Sequence, residues 1–488
     1  MKTKFILIIL IGLSLAYTSC EDVYTEEPSS FLAPEELNSE GGALALLKGA
    51  YGGLQLRSYY QQDFLMQAEV RGEYMLGTGS WADVGRFELI ARSVSRINDA
   101  WDAMYNAVNR ANTVIASVPT LDIDEALKTQ YVAEAKALRG LHYFNIVRSW
   151  GEVPLRLEPL TSLNGIGLAK SSVSDIYTQV VKDLTDAINS NALPAKFTGS
   201  NQGRLGLHAA KAILAHVYLT LGQYAESAAI SKSIIDSGDF QLEPDLATIF
   251  SPEDNATHSG ELLSIIWVRE GNSGMRLPSF MHSSATGYSS AGWRTFTGNI
   301  NSPMVTSLWD EADLRKNFNL YNTPEEVAVL TADRPILFKK YIDENGAGQN
   351  AHGNNQSIYR YADVLTMYAW ADAMVNASPS TDAYEALNQV RRRGYGVDIT
   401  TPNASIDYSG LNQDEFMNAV WNERTWEFIL EGKRWYDLKL MPTEKAIGII
   451  TDAQLNGSFT DTDWLYPIPQ QEIDNNDALT EADQNPGY

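Results

Sequence analysis

The sequence predicts a mainly α-helical protein in which four pairs of helices form a scaffold and an irregular half carries short β-hairpins. In several segments the apolar residues recur every three or four positions, which is the spacing of one helix face. These segments come in pairs that turn residues separate. Two long stretches, residues 58–95 and 240–355, lose this periodicity, and the second is rich in Gly, Ser, Asn and Pro.

The helix pairs are expected near residues 40–118, 131–190, 207–236 and 359–393. In the third pair, Leu-Ala-x-x-Tyr at residues 214–218 is similar to the Leu-Gly-x-x-Tyr of a tetratricopeptide repeat. Gly222 and Tyr224 follow where that repeat turns into its second helix. Small residues at Ala215 and Ser227 would let the two helices approach closely. Because each repeat buries its apolar surface by stacking on a neighbour, four pairs predict a short solenoid.

Residues 1–19 have the pattern of a secretory signal peptide. Their apolar run, FILIILIGLSLA, is shorter than the ~20 residues that span a bilayer. Cys20 follows directly and is the only cysteine, as in bacterial lipoproteins, where the thiol carries a lipid. Tyr17 stands where the usual lipid box has Leu, and the alternative is an incidental thiol. The acidic residues 20–35 would form a tether to one domain at 36–488.

The charge balance limits the classes of partner. The chain has 37 basic and 61 acidic residues, a formal net charge of −24 at pH 7. Such a surface repels nucleic-acid phosphates and anionic lipids, so neither is expected as a partner. Aromatic residues make up 10% of the chain, with 11 Trp and 24 Tyr, which favours a stacking or flat apolar binding surface.

The helix predicted at residues 421–440 carries candidate carboxylates for acid–base catalysis. Glu423, Glu427 and Glu431 are spaced four residues apart, with arginines between them. Alternating Glu and Arg on a partly buried helix usually form ion pairs, and no nucleophile accompanies them. The six His are scattered, and neither His-Glu-x-x-His nor Gly-x-Ser-x-Gly occurs. No catalytic residue, metal or cofactor is therefore expected.

Five stretches in a fixed order carry a family resemblance. They are AEAKALRGLHYFNIVRSWGEVPL at 133–155, YRYADVLTMYAWAD at 359–372, NERTWEFILEGKRWYDLKL at 422–440, YPIPQQEID at 466–474 and QNPGY at 484–488. Together they resemble the SusD/RagB family of outer-membrane nutrient-binding lipoproteins of Bacteroidetes. The resemblance implies a SusD-like scaffold of four tetratricopeptide-like helix pairs with a variable half above it.

The resemblance also implies a function. It implies a lipoprotein that Cys20 anchors to the outer face of the outer membrane, where it forms a lid over a SusC-like, TonB-dependent transporter. It implies a binding protein, not an enzyme, that passes oligosaccharides or polysaccharide to this transporter. Two alternatives stay open. One is a secreted glycoside hydrolase with two catalytic carboxylates, and the other is a tetratricopeptide-type module that binds only protein or peptide.

Ligand binding is expected in the irregular segments, because loops on a rigid scaffold commonly carry binding residues. A sugar needs flat aromatic faces and planar polar groups. RGEYMLGTGSWADVGRFE offers Trp81 as a platform, and MHSSATGYSSAGWRTFTGNINSP offers Trp293; either Trp could instead be a buried core residue. The candidate ligand-binding residues are Arg71, Trp81, Asp83, Tyr288, Trp293, Arg294, Phe296 and Asn299.

Overall fold

The structure is a computed structural model that describes residues 37–160, 167–253, 258–376, 378–453 and 459–488. The predicted signal peptide, Cys20 and the tether lie outside the described residues.

Helices dominate the described part of the chain, which confirms the prediction of a mainly helical fold. Those of the first half are α1 (Glu40–Gly52), α2 (Asp63–Val70), α3 (Ser80–Gly85), α4 (Ala91–Ser117), α5 (Glu125–Trp150), α6 (Val173–Asn189), α7 (Leu207–Thr220) and α8 (Tyr224–Ile235). Those of the second half are α9 (Leu246–Ile249), α10 (Leu277–Met281), α11 (Leu314–Asn319), α12 (Pro324–Val327), α13 (Tyr361–Asn376), α14 (Thr381–Gly394), α15 (Gln413–Glu427), α16 (Arg434–Leu440), α17 (Thr443–Ala453) and α18 (Gln470–Asn475).

Eight of these helices stack in a single row. In the row, α1 packs on α4, α4 on α5, α5 on α6, α6 on α7, α7 on α8, α8 on α13 and α13 on α14. The chain therefore leaves the stack after α8 and returns to it at α13, next to the helix that it left. Stacking of this kind buries each pair against its neighbours, as a solenoid requires.

Local sequence explains how the row is built. The side chain of Asp124 accepts hydrogen bonds from the backbone N of Ala126 and Leu127 and so begins α5. Gly151 ends it with a φ of 74°, in the left-handed region that favours glycine. Between α7 and α8 the contact is close, because Ser227 Oγ donates to the carbonyl O of Ala215 at 2.8 Å.

The strands are short and pair antiparallel. They are β1 (Met75–Leu76), β2 (Val153–Pro154), β3 (Lys170–Ser171), β4 (Glu261–Ile265), β5 (Thr297–Gly298) and β6 (Gln356–Arg360). In the structure β1 pairs with β5, β2 with β3, and β4 with β6. The predicted β-like run LLSIIWV contributes to β4. The second such run, ILFKKYI, supplies only a single bridge from Phe338 to Leu320, because Tyr341 has a φ of 64° and interrupts the extended backbone.

The irregular segments share one hydrophobic core with the stacked helices. Within the described ranges, no helix is both long and apolar enough to cross a membrane. Because the core is shared, the stacked helices hold the loops between α1 and α4 and between α8 and α13 in place.

Candidate ligand-binding site

The two irregular segments that the sequence selects are joined in the structure. Strand β1 pairs with β5, with Met75 opposite Gly298 and Leu76 opposite Thr297. Asn299 strengthens the joint, because its Nδ2 donates to the carbonyl O of Glu73 at 2.9 Å and of Ala453 at 2.7 Å. The fold therefore brings the two predicted regions to one place.

A row of four aromatic rings runs inward from the surface at this joint. The ring centroids of Trp293 and Phe280 are 5.2 Å apart, those of Phe280 and Phe296 5.7 Å, and those of Phe296 and Trp81 5.8 Å. Trp293 is 41% exposed, whereas Trp81 is 3% exposed and Phe296 is fully buried. Of these four rings, Trp293 alone offers a face to a ligand, and the other three support it.

The polar residues predicted near Trp81 are buried and hydrogen-bonded within the protein. Asp83 accepts from Arg92 at 2.7 Å and from Arg86 at 3.0 Å. These hydrogen bonds, led by the one from Arg92, lower the pKa of Asp83. Arg71 donates through Nη1 to the carbonyl O of Asp463 at 2.7 Å, and its guanidinium lies 4.1 Å from the ring centre of Tyr466. Both residues hold the first loop against the rest of the protein.

The residues predicted around Trp293 are more accessible. The Tyr288 hydroxyl donates to Glu326 Oε1 at 2.6 Å, and burial, with this carboxylate as the next cause, raises the pKa of Tyr288. Arg294 donates through Nη1 to the carbonyl O of Val329 at 3.2 Å, and its φ is 52°. Both side chains are half-buried, and they lie on the same loop as Trp293.

Three arginines that the sequence did not single out lie close to the aromatic row. The guanidinium of Arg276 is 5.2 Å from the ring centre of Phe280 and 6.0 Å from that of Trp293. The guanidinium of Arg96 is 5.2 Å from the ring centre of Trp81. Arg57 is the third member, because its positive charge acts on Arg276, and Gln61 of the same turn donates to the carbonyl O of Gly274 at 2.8 Å. The Trp293 surface is defined here as Arg57, Arg96, Arg276, Phe280 and Trp293.

One cavity lies beside the β1–β5 joint, and another lies on the helical scaffold. One of 220 Å³ is behind the β1–β5 joint and is lined in part by Arg71 and Asn299. Another of 650 Å³ is on the scaffold side, and its lining includes Trp370, Met374, Met417, Trp421, Met441 and Lys445. Among the residues that the structure describes, no cluster of three or more His, Cys, Asp or Glu is placed to hold a metal ion.

Comparisons with known proteins identify the family. A family model described as "SusD family" matches residues 287–488, and one described as "Starch-binding associating with outer membrane" matches residues 26–219. The chain belongs to the SusD/RagB family. SusD-like protein P2 of Formosa agariphila is 26% identical to it and covers 100% of both chains.

Solved structures of the SusD/RagB family share its fold. Surface glycan-binding protein A from Bacteroides fluxus superposes with a TM-score of 0.77 at 24% identity, over 92% of this chain and 100% of that one. A structure described as a laminarin binding SusD-like protein gives a TM-score of 0.73 at 23% identity, again over 92% and 100%. At these identities the superpositions establish the fold.

The glutamates of the SusD/RagB motif at 422–440 belong to a network of buried ion pairs. Arg315 pairs with Glu423 at 2.7 Å, and Arg360 pairs with Glu427 at 2.7 Å and Glu431 at 2.8 Å. These pairs confirm the prediction that the glutamates form ion pairs.

The prediction of one continuous helix at 421–440 is wrong. The chain leaves α15 at Glu427 and begins α16 at Arg434, because Leu430 and Gly432 have φ values of 66° and 73°. The break turns the chain so that Glu431 can reach both Arg360 and Lys340, at 2.8 and 2.6 Å.

Proposed function

We propose that this protein is a lipid-anchored protein of the outer membrane that faces the exterior, binds oligosaccharides or polysaccharide, and delivers them to a SusC-like TonB-dependent transporter. Membership of the SusD/RagB family supports the proposal, as does the family model whose description names starch binding and the outer membrane. A solved relative with the same fold is described as laminarin binding.

The exposed face of Trp293 is the observation that carries the binding proposal. An indole that is 41% exposed, on a loop fixed by a buried aromatic row, is a rigid apolar platform. The C–H face of a pyranose is itself apolar, so it can stack on such a ring while its hydroxyls meet polar groups at the edge. Preorganised platforms of this kind lose little conformational entropy on binding.

The eight predicted site residues take different parts in the proposed site. Trp293 is the platform, and Tyr288 and Arg294 are half-buried residues of the same loop. Trp81 and Phe296 form the buried support of the row, which is the alternative that the sequence left open for Trp81. The remaining three, Arg71, Asp83 and Asn299, hold the two loops in place through buried hydrogen bonds.

The direct experiment is a glycan array on a soluble fragment that begins after Glu27, followed by calorimetry on the best ligand. Trp293→Ala is expected to weaken binding by about 1–3 kcal/mol, the usual contribution of an aromatic stacking platform. Ile300→Ala is the matched control, because Ile300 is an exposed apolar side chain of the same segment. Unchanged affinity in Trp293→Ala would show that the platform is misassigned.

The membrane anchor is proposed to be a lipid on Cys20. The wild-type protein is expected in the outer-membrane fraction, and Cys20→Ser is expected to remain folded but to leave that fraction. Protease treatment of intact cells tests the outward orientation, since a protein that faces the exterior is cleaved. Retention of Cys20→Ser in the membrane fraction would contradict the proposed anchor.

Delivery to a SusC-like transporter is proposed from family membership. Co-purification from detergent-solubilised outer membranes tests it, and a TonB-dependent transporter is the expected partner.

The scaffold cavity of 650 Å³, lined by three methionines and two tryptophans, favours a second candidate function, the binding of an apolar protein segment. If Trp421→Ala removes a bound protein and no glycan binds, this second function replaces the first.

Glycan binding is proposed to occur without turnover. The three glutamates of the 422–440 motif are bound to arginines and lysine in the core, so they are held away from solvent and from any sugar. Incubation with a polysaccharide panel should therefore release no reducing ends. Release that depends on two carboxylates would indicate a hydrolase instead.

A further inference from the structure

Three guanidinium groups from separate segments meet at the Trp293 surface. Arg57 belongs to the turn Arg57–Gln61, Arg96 to α4, and Arg276 to the segment just before α10. Burial lowers the pKa of Arg276, and the positive charges of Arg57 and Arg96 lower it further, while the negative charge of Asp63 partly opposes them. Three positive charges thus lie near one another beside the proposed platform.

The carboxylates around this group do not balance it. Asp63 accepts from Arg96 at 3.2 Å, and Asp99 is a second acidic neighbour whose charge acts on Asp63. Within the described residues, no carboxylate forms an ion pair with Arg57 or Arg276. Asp63 acts on both arginines through its charge, but its direct contact is with Arg96, so Arg57 and Arg276 keep donors and charge to offer to a ligand.

Arg276 is held in place by neutral groups. Its Nη1 donates to Asn350 Oδ1 at 3.3 Å and its Nη2 to Gln349 Oε1 at 3.4 Å, both at the long end of the hydrogen-bond range. Its Nε is buried and has no hydrogen-bond partner among the described residues. The rings of Phe280 and Trp293 fix the guanidinium by cation–π contact without neutralising it.

In a chain with a large excess of acidic residues, an arginine without a carboxylate in direct contact is unexpected. With 61 acidic and 37 basic residues, most arginines find a carboxylate nearby. A half-buried guanidinium without a carboxylate in direct contact is costly, because the more distant charge of Asp63, which Arg96 already contacts, offsets its desolvation only in part. An anionic group of a ligand would supply the missing partner and gain charge-assisted hydrogen bonds.

We infer that the Trp293 surface binds glycans that carry an anionic group, a carboxylate or a sulfate ester, which accepts hydrogen bonds from Arg276 while the sugar ring stacks on Trp293. Arg57 adds positive charge at the outer side of the same surface. This inference rests on the proposed glycan-binding function and names the class of glycan. The long-range repulsion from the acidic chain is screened over about 8 Å at physiological salt, so the local arginines decide the contact.

The test uses calorimetry with three probes. They are an oligogalacturonate, the same oligosaccharide with its carboxyl groups reduced to alcohols, and a sulfated agarose-type oligosaccharide. The wild-type protein is expected to bind a charged probe at least about tenfold more tightly than the reduced one, since a hydrogen bond to a charged group commonly contributes this much. The oligogalacturonate and the sulfated probe distinguish a carboxylate from a sulfate as the anion.

Single substitutions test whether Arg276 and Arg57 cause the tighter binding of the charged probe. Arg276→Ala is expected to abolish the preference for the charged probe, measured as the ratio of the two affinities in the same variant. Arg276→Lys is expected to restore part of it, because Lys keeps the charge but not the planar fork. Arg57→Ala removes an exposed side chain and should lower the preference about threefold without a folding defect. Ile300→Ala is the control.

The outcomes separate this inference from the proposed function. If the reduced probe binds as tightly as the charged ones, or if the preference survives in Arg276→Ala and Arg57→Ala, the inference is wrong and the glycan-binding proposal stands. If neither these probes nor any neutral glycan binds, the proposed function fails as well. If Trp293→Ala binds all of them like the wild type, glycan binding stands, but the platform and this inference are wrong.

Discussion

Arg360 and Arg276 are the same residue type in opposite circumstances. Arg360 is buried at the centre of the scaffold and donates to Glu427 at 2.7 Å and to Glu431 at 2.8 and 2.9 Å. Arg276 lies half-buried beside Trp293 and donates only to the neutral side chains of Asn350 and Gln349. The first charge has carboxylates in direct contact, and among the described residues the second has none.

The two arginines show which charges serve the fold and which are available for binding. Buried charges in the core are tolerated only when opposite charges and hydrogen bonds surround them, so that losing one partner is expensive. A surface that retains an unmatched, positioned charge has lost some stability and gained a site for an anion. Changes in the core network should therefore lower stability, and changes at the Trp293 surface should alter binding.

The largest expected effect is the loss of one carboxylate from the core. Glu427 pairs with Arg360 at 2.7 Å, with Arg315 at 3.5 Å and closely with Arg393. Glu427→Gln is expected to lower the free energy of unfolding by about 3–5 kcal/mol, because it leaves buried guanidinium groups unpaired. Glu125→Gln, which breaks a pair whose Glu is 85% exposed, should cost less than about 1 kcal/mol in urea unfolding. Equal losses of unfolding free energy in both variants would show that the core carboxylate matters no more for stability than the exposed one.

The next effect concerns the buried support of the platform. Trp81→Ala is expected to cost about 3–4 kcal/mol in the same unfolding experiment, since it leaves a cavity against Phe296 and Arg96. Trp81→Phe, which fills more of the space, should cost less and keep ligand affinity. A large loss of affinity in Trp81→Phe with little loss of stability would show instead that Trp81 touches the ligand.

A pH-dependent effect comes from Glu69, a buried carboxyl in the core. Burial raises its pKa to about 8, despite a hydrogen bond from the backbone N of Gly432. Between its unfolded pKa of about 4.3 and this value, the folded protein keeps a proton that the unfolded chain releases, so stability falls as pH rises. Relative to Glu69→Gln, the wild type should lose about 2–3 kcal/mol of unfolding free energy between pH 5 and pH 7. Parallel stability profiles for the two proteins would rule out this titration.

The smallest expected effect on stability is at the platform itself. Trp293→Ala should change the free energy of unfolding by no more than about 0.5 kcal/mol, because a large part of the ring is already in water. Its effect on glycan affinity should be larger than its effect on stability. The opposite order, measured by thermal unfolding and calorimetry on the same sample, would place Trp293 in the core rather than in the site.

The sequence predicted the helix pairs and the motif glutamates well, for a physical reason. A period of three to four residues is a local property of the chain, and so is the spacing of glutamates that arginines can neutralise. The break after α15 was missed, because Leu430 adopts a positive φ that its residue type does not favour. The burial of Trp81 was left open, since an aromatic residue in a Gly-rich loop is compatible with both a platform and a core position.

By itself the sequence determined the scaffold, the family and the two loops in which a ligand is expected. It could not determine which aromatic ring faces solvent, because that depends on the pairing of β1 with β5, which are far apart in the chain. Nor could it show that Arg57, Arg96 and Arg276 meet. Counting charges gives a net charge of −24, which argues against nucleic acids and anionic lipids as partners. Only the tertiary structure places three positive charges together at one surface, because an electrostatic field depends on distance in space rather than on order in the chain.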